Sequence, residues 1–277
     1  FNIDLADAAR KVGPRTRAIM PVHLFGQSCD LTALRAFASA HGLRIIEDAA
    51  QSMGARWQGR STMSVGEFGA TSFFPSKNLG GMGDSGLVTT SDDALAERAR
   101  ILRVHGMQPK YYHREVGANF RMDPLQAAML HLKLPHLPEY NCARAGNAHF
   151  YHAALKGRAG VAENRPGADV AAKVLLPVDF SGQGIWNQFT LRVPGGGRDA
   201  LKAFLTARKI GCEIYYPIPL HRQECFAAAD YRGADSVPVS EQLSAEVLSI
   251  PIFPELTAEQ RQWVADALAD FAAGKSA

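Results

Sequence analysis

Apolar positions change period along this chain in a regular way. Short unbroken apolar runs alternate with stretches in which apolar residues recur every three or four positions. The run RAIMPVHLFG at 17–26 reads as a short buried strand ending at a turn. In DLTALRAFASAHGL (30–43), Leu31, Leu34 and Phe37 share one helical stripe, Asp30 can cap the N-terminus, and Gly42 suits the stop. LRIIED (43–48) is then a strand with two acids at its carboxyl end. A strand, a helix and a strand at this spacing predict a right-handed βαβ unit in a parallel sheet, and so an α/β protein.

Further along, GATSFF and GLVTT read as strands. SDDALAERARILRVHG (91–106) reads as a helix with acids in its first turn and bases in its last. DPLQAAMLHLKL (123–134) is another helix, with Asp123 as cap and Pro124 at its first position. Pro135 and Pro138 should break or kink it, so the pattern predicts a boundary there, with domains 1–136 and 137–277. NQFTLRVP (187–194) is a strand, and DALKAFLTARKIG (199–211) a helix stopped by Gly211. The last helix begins at Thr257 with Gln260 completing a capping box, and Val264, Leu268 and Phe271 form its apolar face.

Composition narrows the function classes. With 277 residues, 47% of them hydrophobic, the chain can bury a sizeable core. Its 30 basic and 27 acidic side chains give a net charge of +3, which argues against nucleic acid or a membrane surface as partner. Cys29, Cys142, Cys212 and Cys225 are far apart, form no CxxC pair or metal spacing, and point to a reducing cytoplasm. No apolar run approaches the roughly 18 to 20 residues that span a bilayer. The chain opens on Phe1 without an initiator methionine, and we expect it to be part of a longer protein.

One stretch concentrates the candidate chemistry. TSFFPSKNLGGMGDSGLVTT (71–90) places Lys77 between a predicted strand and a glycine-rich loop. Gly81, Gly83 and Gly86 fit GxGxxG, but a strand rather than a helix follows, so a dinucleotide fingerprint is rejected. No Lys-Ser/Thr pair follows the glycines, which rejects a P-loop. The other chemistry for an isolated lysine is a Schiff base with a carbonyl cofactor. Pyridoxal phosphate is the commonest such carbonyl, and its ring nitrogen needs a carboxylate. Asp48, at the end of the RIIED strand, stands where an open α/β sheet faces its ligand. Each residue alone has an ordinary reading, Lys77 as a surface lysine and Asp48 as a helix cap or ion-pair partner.

Motifs through nearly the whole chain resemble those of the DegT/DnrJ/EryC1/StrS family of sugar aminotransferases. PVHLFGQSCD (21–30), IIEDAAQSMGA (45–55), SFFPSKNLGGMGDSG (72–86), GANFRMDPLQAAML (117–130), IYYPIPLHRQECF (214–226) and LSIPIFPELTAEQ (248–260) occur in the family's order. The resemblance implies a fold-type I, aspartate aminotransferase-like architecture. That is a mostly parallel central sheet flanked by helices, with a smaller α/β C-terminal domain. It implies pyridoxal 5′-phosphate as cofactor, no metal, and a homodimer with shared active sites. Lys77 would hold the cofactor covalently and move the reaction's proton. Asp48 would pair with the ring nitrogen, Gln51 would reach the ring's 3-oxygen, and Ser72 would contact the phosphate. Ala50 would pack against the ring face, and Asn119 would reach the phosphate in the neighbouring subunit's site.

For substrate, the candidates are His23, Lys110, Tyr111, Tyr112, His113, Arg121, Tyr215 and His221. Lys110, His113, Arg114 and Arg121 are interleaved with Tyr111 and Tyr112, a composition able to grip a diphosphate and stack on a base or sugar, or simply a solvated loop. His23 is as well explained by the core, His221 by packing, and the glycines at 80, 81, 83 and 86 by turn geometry.

The chain also departs from the family's pattern. A front part of roughly 100 residues, about a normal domain's worth, is absent. GDSG stands for the commoner GDGG, and Tyr215 stands where many relatives have histidine. The implied reaction is transfer of an amino group from an amino acid, glutamate above all, to the keto-sugar of a nucleoside diphosphate. It favours carbon 3, with carbon 4 as the alternative. A sugar dehydratase of the family carries histidine in place of Lys77, a regulatory homologue would be expected to lose Lys77 or Asp48, and a nicotinamide oxidoreductase needs the glycine context already rejected.

Overall fold

The computed structural model describes residues 1–167, 171–226 and 237–275. Two compact units emerge: Phe1–Cys142 with Asp179–Asn187, and Ala143–Val178 with Gln188–Ala277. The first division falls after Cys142, slightly beyond the two prolines, and Asp179–Asn187 returns to unit 1.

Unit 1 begins with α1 (Leu5–Lys11), β1 (Ala18–Ile19), α2 (Leu31–His41) and β2 (Arg44–Asp48). A small hairpin, β3 (Arg56–Trp57) and β4 (Arg60–Ser61), leads to β5 (Phe68–Ser72) and β6 (Gly86–Thr89). Helices α3 (Asp93–Leu102) and α4 (Pro124–Lys133) follow, and α5 (Leu137–Leu155) runs on into unit 2. The four-stranded sheet has the order β1-β2-β5-β6. Both β1–β2 and β2–β5 are parallel, and β5–β6 is antiparallel.

Local chemistry explains these elements. Asp30 caps α2 by accepting the Ala33 N–H at 2.8 Å, and Gly42 ends it in the left-handed region at φ 64°. The stripe of Leu31, Leu34 and Ala38 packs with Ile19 and Ile45 of the sheet and with Leu43 just before β2, with Phe37 at the margin. The expected strand at 17–26 shortens to two residues. Pro21 has no N–H to give, and the chain then turns through a 3₁₀ segment, Leu24–Gly26, over the end of β2. The helix expected over 91–106 ends at Leu102; beyond it the His105 N–H donates to the Ala118 carbonyl, and the Arg103 and Gly106 carbonyls accept from Phe120 and Arg114.

As expected, the helix is interrupted at Pro135 and Pro138, though the chain stays helical: α4 ends at Lys133 and α5 begins at Leu137. A 3₁₀ turn, Leu134–His136, joins α4 to α5, with Lys133, Leu134 and Leu137 all in right-handed helical conformation. Pro135 cannot donate to the His131 carbonyl, so α4 gives way there to the 3₁₀ turn, and Pro138 falls in the first turn of α5, where proline is tolerated.

Unit 2 holds β7 (Val161–Glu163), β8 (Val174–Leu176), β9 (Phe189–Arg192), α6 (Arg198–Ala207), α7 (Pro238–Glu246), β10 (Val247–Ile250) and α8 (Ala258–Ala272). Its sheet runs β10-β9-β8-β7, with only β7–β8 parallel. Helices α6 and α8 meet through the Phe204 and Phe271 rings, edge to face at 5.5 Å. Thr257 and Gln260 form the expected capping box of α8. Helix α6 stops at Ala207, and Lys209 takes the left-handed conformation (φ 58°) that the sequence assigned to Gly211. Among the described residues no helix is long and apolar enough to cross a membrane, and no cluster of His, Cys, Asp and Glu is set to hold a metal ion.

Candidate active site

Because β2 and β5 are parallel with Asp48 opposite Ala70, the carboxyl ends of both strands lie on one edge of the unit 1 sheet. Asp48 ends β2, Ser72 ends β5, and Lys77 follows in the turn after β5. The Lys77 N–H donates to the Phe74 carbonyl at 2.8 Å. Next to it, buried Asn78 donates to the Asn141 side chain (2.6 Å) and the Ile185 carbonyl (2.9 Å), and accepts from Asn187 (2.8 Å).

The glycine-rich loop closes on itself. Phe73 donates to the Ser85 carbonyl (2.8 Å) and accepts from the Gly81 N–H (2.7 Å). From α4, Lys133 Nζ donates to the Gly80 carbonyl (2.5 Å) and Gln126 Oε1 accepts the Met82 N–H (2.8 Å). A Cβ on Gly80 would lie 2.2 Å from the Pro75 carbonyl oxygen, so this glycine is required by the loop's own backbone.

Lys77 is half-buried, and burial lowers its pKa; the Asp48 charge pulls the other way without cancelling the shift. Asp48 Oδ1 accepts the Ala50 N–H at 3.0 Å, and no other side-chain hydrogen bond to Asp48 occurs among the described residues. Gln51 is buried, and its Oε1 accepts the Phe25 N–H at 2.7 Å, which turns the amide nitrogen away from Phe25. Ser72 Oγ accepts the Phe74 N–H at 3.1 Å and keeps a proton to donate. Lys77, Asp48, Ala50, Gln51 and Ser72 therefore gather in and beyond the ends of two adjacent strands. The arrangement offers an amine of lowered pKa, a carboxylate with one oxygen clear of protein hydrogen bonds, a fixed amide and a hydroxyl.

His23 is corrected by the structure. Its side chain is 0% exposed, and both ring nitrogens are engaged inside unit 1, which removes it from the substrate candidates. Nδ1 accepts the Cys29 N–H (3.0 Å), so the proton is on Nε2, which donates to Glu47 Oε2 (3.0 Å). Glu47, also 0% exposed, accepts further from the N–H groups of Met63 (2.9 Å), Val65 (2.8 Å) and Gly66 (3.1 Å). Burial pushes the Glu47 pKa up, but the His23 bond and the Val65 and Gly66 N–H groups outweigh it and leave the pKa below its ordinary value. The sequence marks Glu47 only as the second acid of RIIED; its one further signal is the strand period, which places it on the buried face with Ile45.

The remaining candidates fall elsewhere. Residues 103–120 fold back on themselves, with backbone bonds such as Arg114 N–H to Gly106 (2.9 Å) and Phe120 N–H to Arg103 (3.0 Å). Tyr111 and Tyr112 are 75% and 69% exposed, and Lys110 Nζ lies 4.9 Å from the Tyr111 ring centre. His113 Nδ1 donates to the His105 carbonyl (2.8 Å). Asn119 Oδ1 accepts the Arg121 N–H (3.3 Å) and pairs by backbone with Val104. No hydrogen bond among the described residues joins this segment to the Lys77 or Asp48 side chain. Tyr215 and His221 belong to unit 2, where His221 Nε2 bonds to Glu241 Oε1 on α7 (2.8 Å) and Tyr215 meets the Tyr216 ring edge to face at 5.6 Å.

With this geometry in view, comparison with known proteins gives a consistent set of matches. The DegT/DnrJ/EryC1/StrS aminotransferase family profile matches residues 1–269. A pleiotropic regulatory protein of Geobacillus stearothermophilus is 43% identical, the match covering 98% of this chain and 69% of that protein. The UDP-N-acetyl-3-dehydro-alpha-D-glucosamine 3-aminotransferase of Acidithiobacillus ferrooxidans is 41% identical, over 94% of this chain and 66% of the enzyme. Among solved structures, Streptomyces venezuelae DesV in complex with a ketimine intermediate superposes with a TM-score of 0.87 at 40% identity, over 98% of this chain and 69% of DesV. The chain thus spans about two thirds of the length of these relatives.

Proposed function

Since this chain belongs to the DegT/DnrJ/EryC1/StrS aminotransferase family, we propose that it serves a transaminase that moves an amino group from glutamate to carbon 3 of a nucleoside-diphosphate keto-sugar. The observation that carries this reading is the Lys77–Asp48 pair: an amine of lowered pKa beside a carboxylate at the end of a parallel strand. The 41% identical Acidithiobacillus enzyme, named as a 3-aminotransferase of a nucleotide sugar, supports the substrate class and the carbon.

The residues present fit pyridoxal 5′-phosphate. When bound, that group supplies an aldehyde for the amine and a ring that withdraws electrons from the carbon bearing the nitrogen. Lys77, neutral more readily than an ordinary lysine, would hold the group through its Nζ and serve there as the base that moves a proton. Asp48 would face the ring nitrogen and favour its protonated form. Gln51, whose oxygen accepts the Phe25 N–H, would contact the ring's 3-oxygen, as the family resemblance implies. Ser72 donates its hydroxyl to the phosphate, and Ala50 leaves room for the ring face.

In the same proposal unit 1 is part of a fold-type I cofactor-binding domain and unit 2 a smaller C-terminal domain. Asn119 serves the site of a second copy. Exposed Val116, Phe120, Leu125 and Leu132 supply apolar surface that such a copy would cover.

Borohydride reduction after cofactor loading, followed by peptide mapping, tests the assignment. Label on the Lys77 peptide is expected; label confined to Lys110 or another lysine overturns it. The similarity to a regulatory protein supports a second reading, a sensor on the same fold. A panel of keto-sugar nucleotides with glutamate separates the two, because a sensor binds without turnover.

A further inference from the structure

We propose that His23 and Glu47 are positioning residues, which hold the turn at 23–29 against the carboxyl end of β2 and thereby fix the Asp48 and Gln51 side chains. The inference rests on the cofactor roles proposed above for those two residues. The turn is stitched to the strand end at successive points. Asp48 N–H donates to the Pro21 carbonyl (2.9 Å), and His23 N–H donates to the Asp48 carbonyl (3.0 Å). The His23 ring bonds to Glu47 (3.0 Å), and Phe25 N–H donates to Gln51 Oε1 (2.7 Å).

The step from His23 to Phe25 is the sensitive one. Phe25 sits at φ 59°, in the left-handed region that side chains other than glycine's avoid. A turn of that kind persists only where its flanks are held. Here the imidazole holds both flanks, through Glu47 on the strand side and through the Cys29 N–H (3.0 Å) on the far side. Glu47 in turn is anchored by the N–H groups of Met63, Val65 and Gly66 in the loop before β5. The pair lies on the opposite face of β2 from Asp48, so it acts through the backbone and the turn, not by touching the cofactor.

Three variants of the protein test this: Glu47→Gln, His23→Gln, and Leu34→Ala as a control that weakens the core of unit 1 without a bond to the turn. The readouts are amide exchange at Phe25 and Asp48 in cofactor-free protein, referenced to the amides of α2, and the dissociation constant for pyridoxal phosphate per folded molecule. Protection at Phe25 and Asp48 should fall about 10-fold or more in the first two variants, and affinity about 10- to 100-fold, the range usual for residues that orient a binding group. Leu34→Ala should leave both within about twofold at matched stability. Unchanged protection and affinity in the Glu47 and His23 variants overturn the proposal. If both fail to fold, His23→Asn is the substitute, because its Oδ1 can still accept the Cys29 N–H while its side chain no longer reaches Glu47, which keeps its three N–H partners; wild-type protection and affinity in that variant overturn the proposal, and loss of both in a folded protein supports it. Should the wild-type protein bind no pyridoxal phosphate, the functional reading fails, while the exchange contrast still decides whether the pair holds the strand end.

Discussion

Two loops of unit 1 carry candidate residues and are held differently. The loop at 73–86 is held by side chains as well as by its own backbone: Asn78 bonds outward to Asn141, Ile185 and Asn187, Gln126 and Lys133 bond into it, and Lys77 emerges half-buried. The segment at 103–120 is held by its own backbone, and Lys110, Tyr111 and Tyr112 stand in solvent. Chemistry on a fixed covalent partner needs the first kind of loop, because a reacting amine displaced by about 1 Å loses most of its advantage. Recognition of a substrate that arrives and leaves suits the second, where exposed side chains reorganise at little expense to the fold.

Breaking the contrast at its strongest point, Lys77→Ala should lower turnover by about 10²- to 10⁴-fold, the usual loss for a positioned proton carrier, while cofactor still binds without a covalent link. Stopped-flow rates and the absorbance of bound cofactor measure the two effects. Asp48→Asn should leave the circular dichroism unchanged and slow the proton step about 10²-fold or more, because a neutral amide cannot hold the ring's charge; normal turnover at full cofactor loading would return Asp48 to a capping role.

Next in size, Asn78→Ala removes the hub of the first loop and strands its partners, and should destabilise by about 2–3 kcal/mol in urea unfolding. The matching change in the second loop, Tyr112→Ala, should stay within about 0.5 kcal/mol and instead raise KM for the nucleotide sugar. A stability change as large as that of Asn78→Ala would erase the distinction.

The smallest effect is a pH dependence. The folded-state pKa of Lys77 is lowered from 10.5, so below the folded value the charged amine opposes folding. Between the folded value and 10.5 the unfolded chain binds more protons, and stability contributed by this group rises with pH. Lys77→Met should therefore stabilise the cofactor-free protein at neutral pH and lose that advantage as pH approaches 10.5. Chemical denaturation at several pH values checks the slope.

How much of this was legible depended on how local the cause was. Asp30, Gly42, Asp123 and the Thr257–Gln260 box act on residues within a turn of themselves, and the sequence placed them correctly. Strands β8 and β10 were not read as strands, because VLL and VLSI are buried at every position and carry no alternation. His23 was ambiguous because its partner Glu47 lies 24 residues away and meets it only once β2 is formed. The prolines were legible because their cause is local: Pro135 and Pro138 act on the turn they stand in, and α4 gives way there to a 3₁₀ turn. For the candidate site, the motifs singled out Lys77, Asp48, Gln51 and Ser72, but nothing in them showed that the Phe25 N–H would bond to the amide of Gln51.

The closed neck of the first loop, where Phe73 bonds to both Ser85 and Gly81, bears on how the chain meets a protease. Trypsin must draw several residues on each side of a lysine into an extended strand. At Lys77 that would require releasing buried Asn78 and opening the neck, so cleavage there tracks the free energy of local opening. At Lys110 the neighbouring Tyr111 and Tyr112 are already in water. Under brief native digestion the bond after Lys110 should be nicked first and the bond after Lys77 spared, so a peptide map would show the loop that holds Lys77 as an intact fragment.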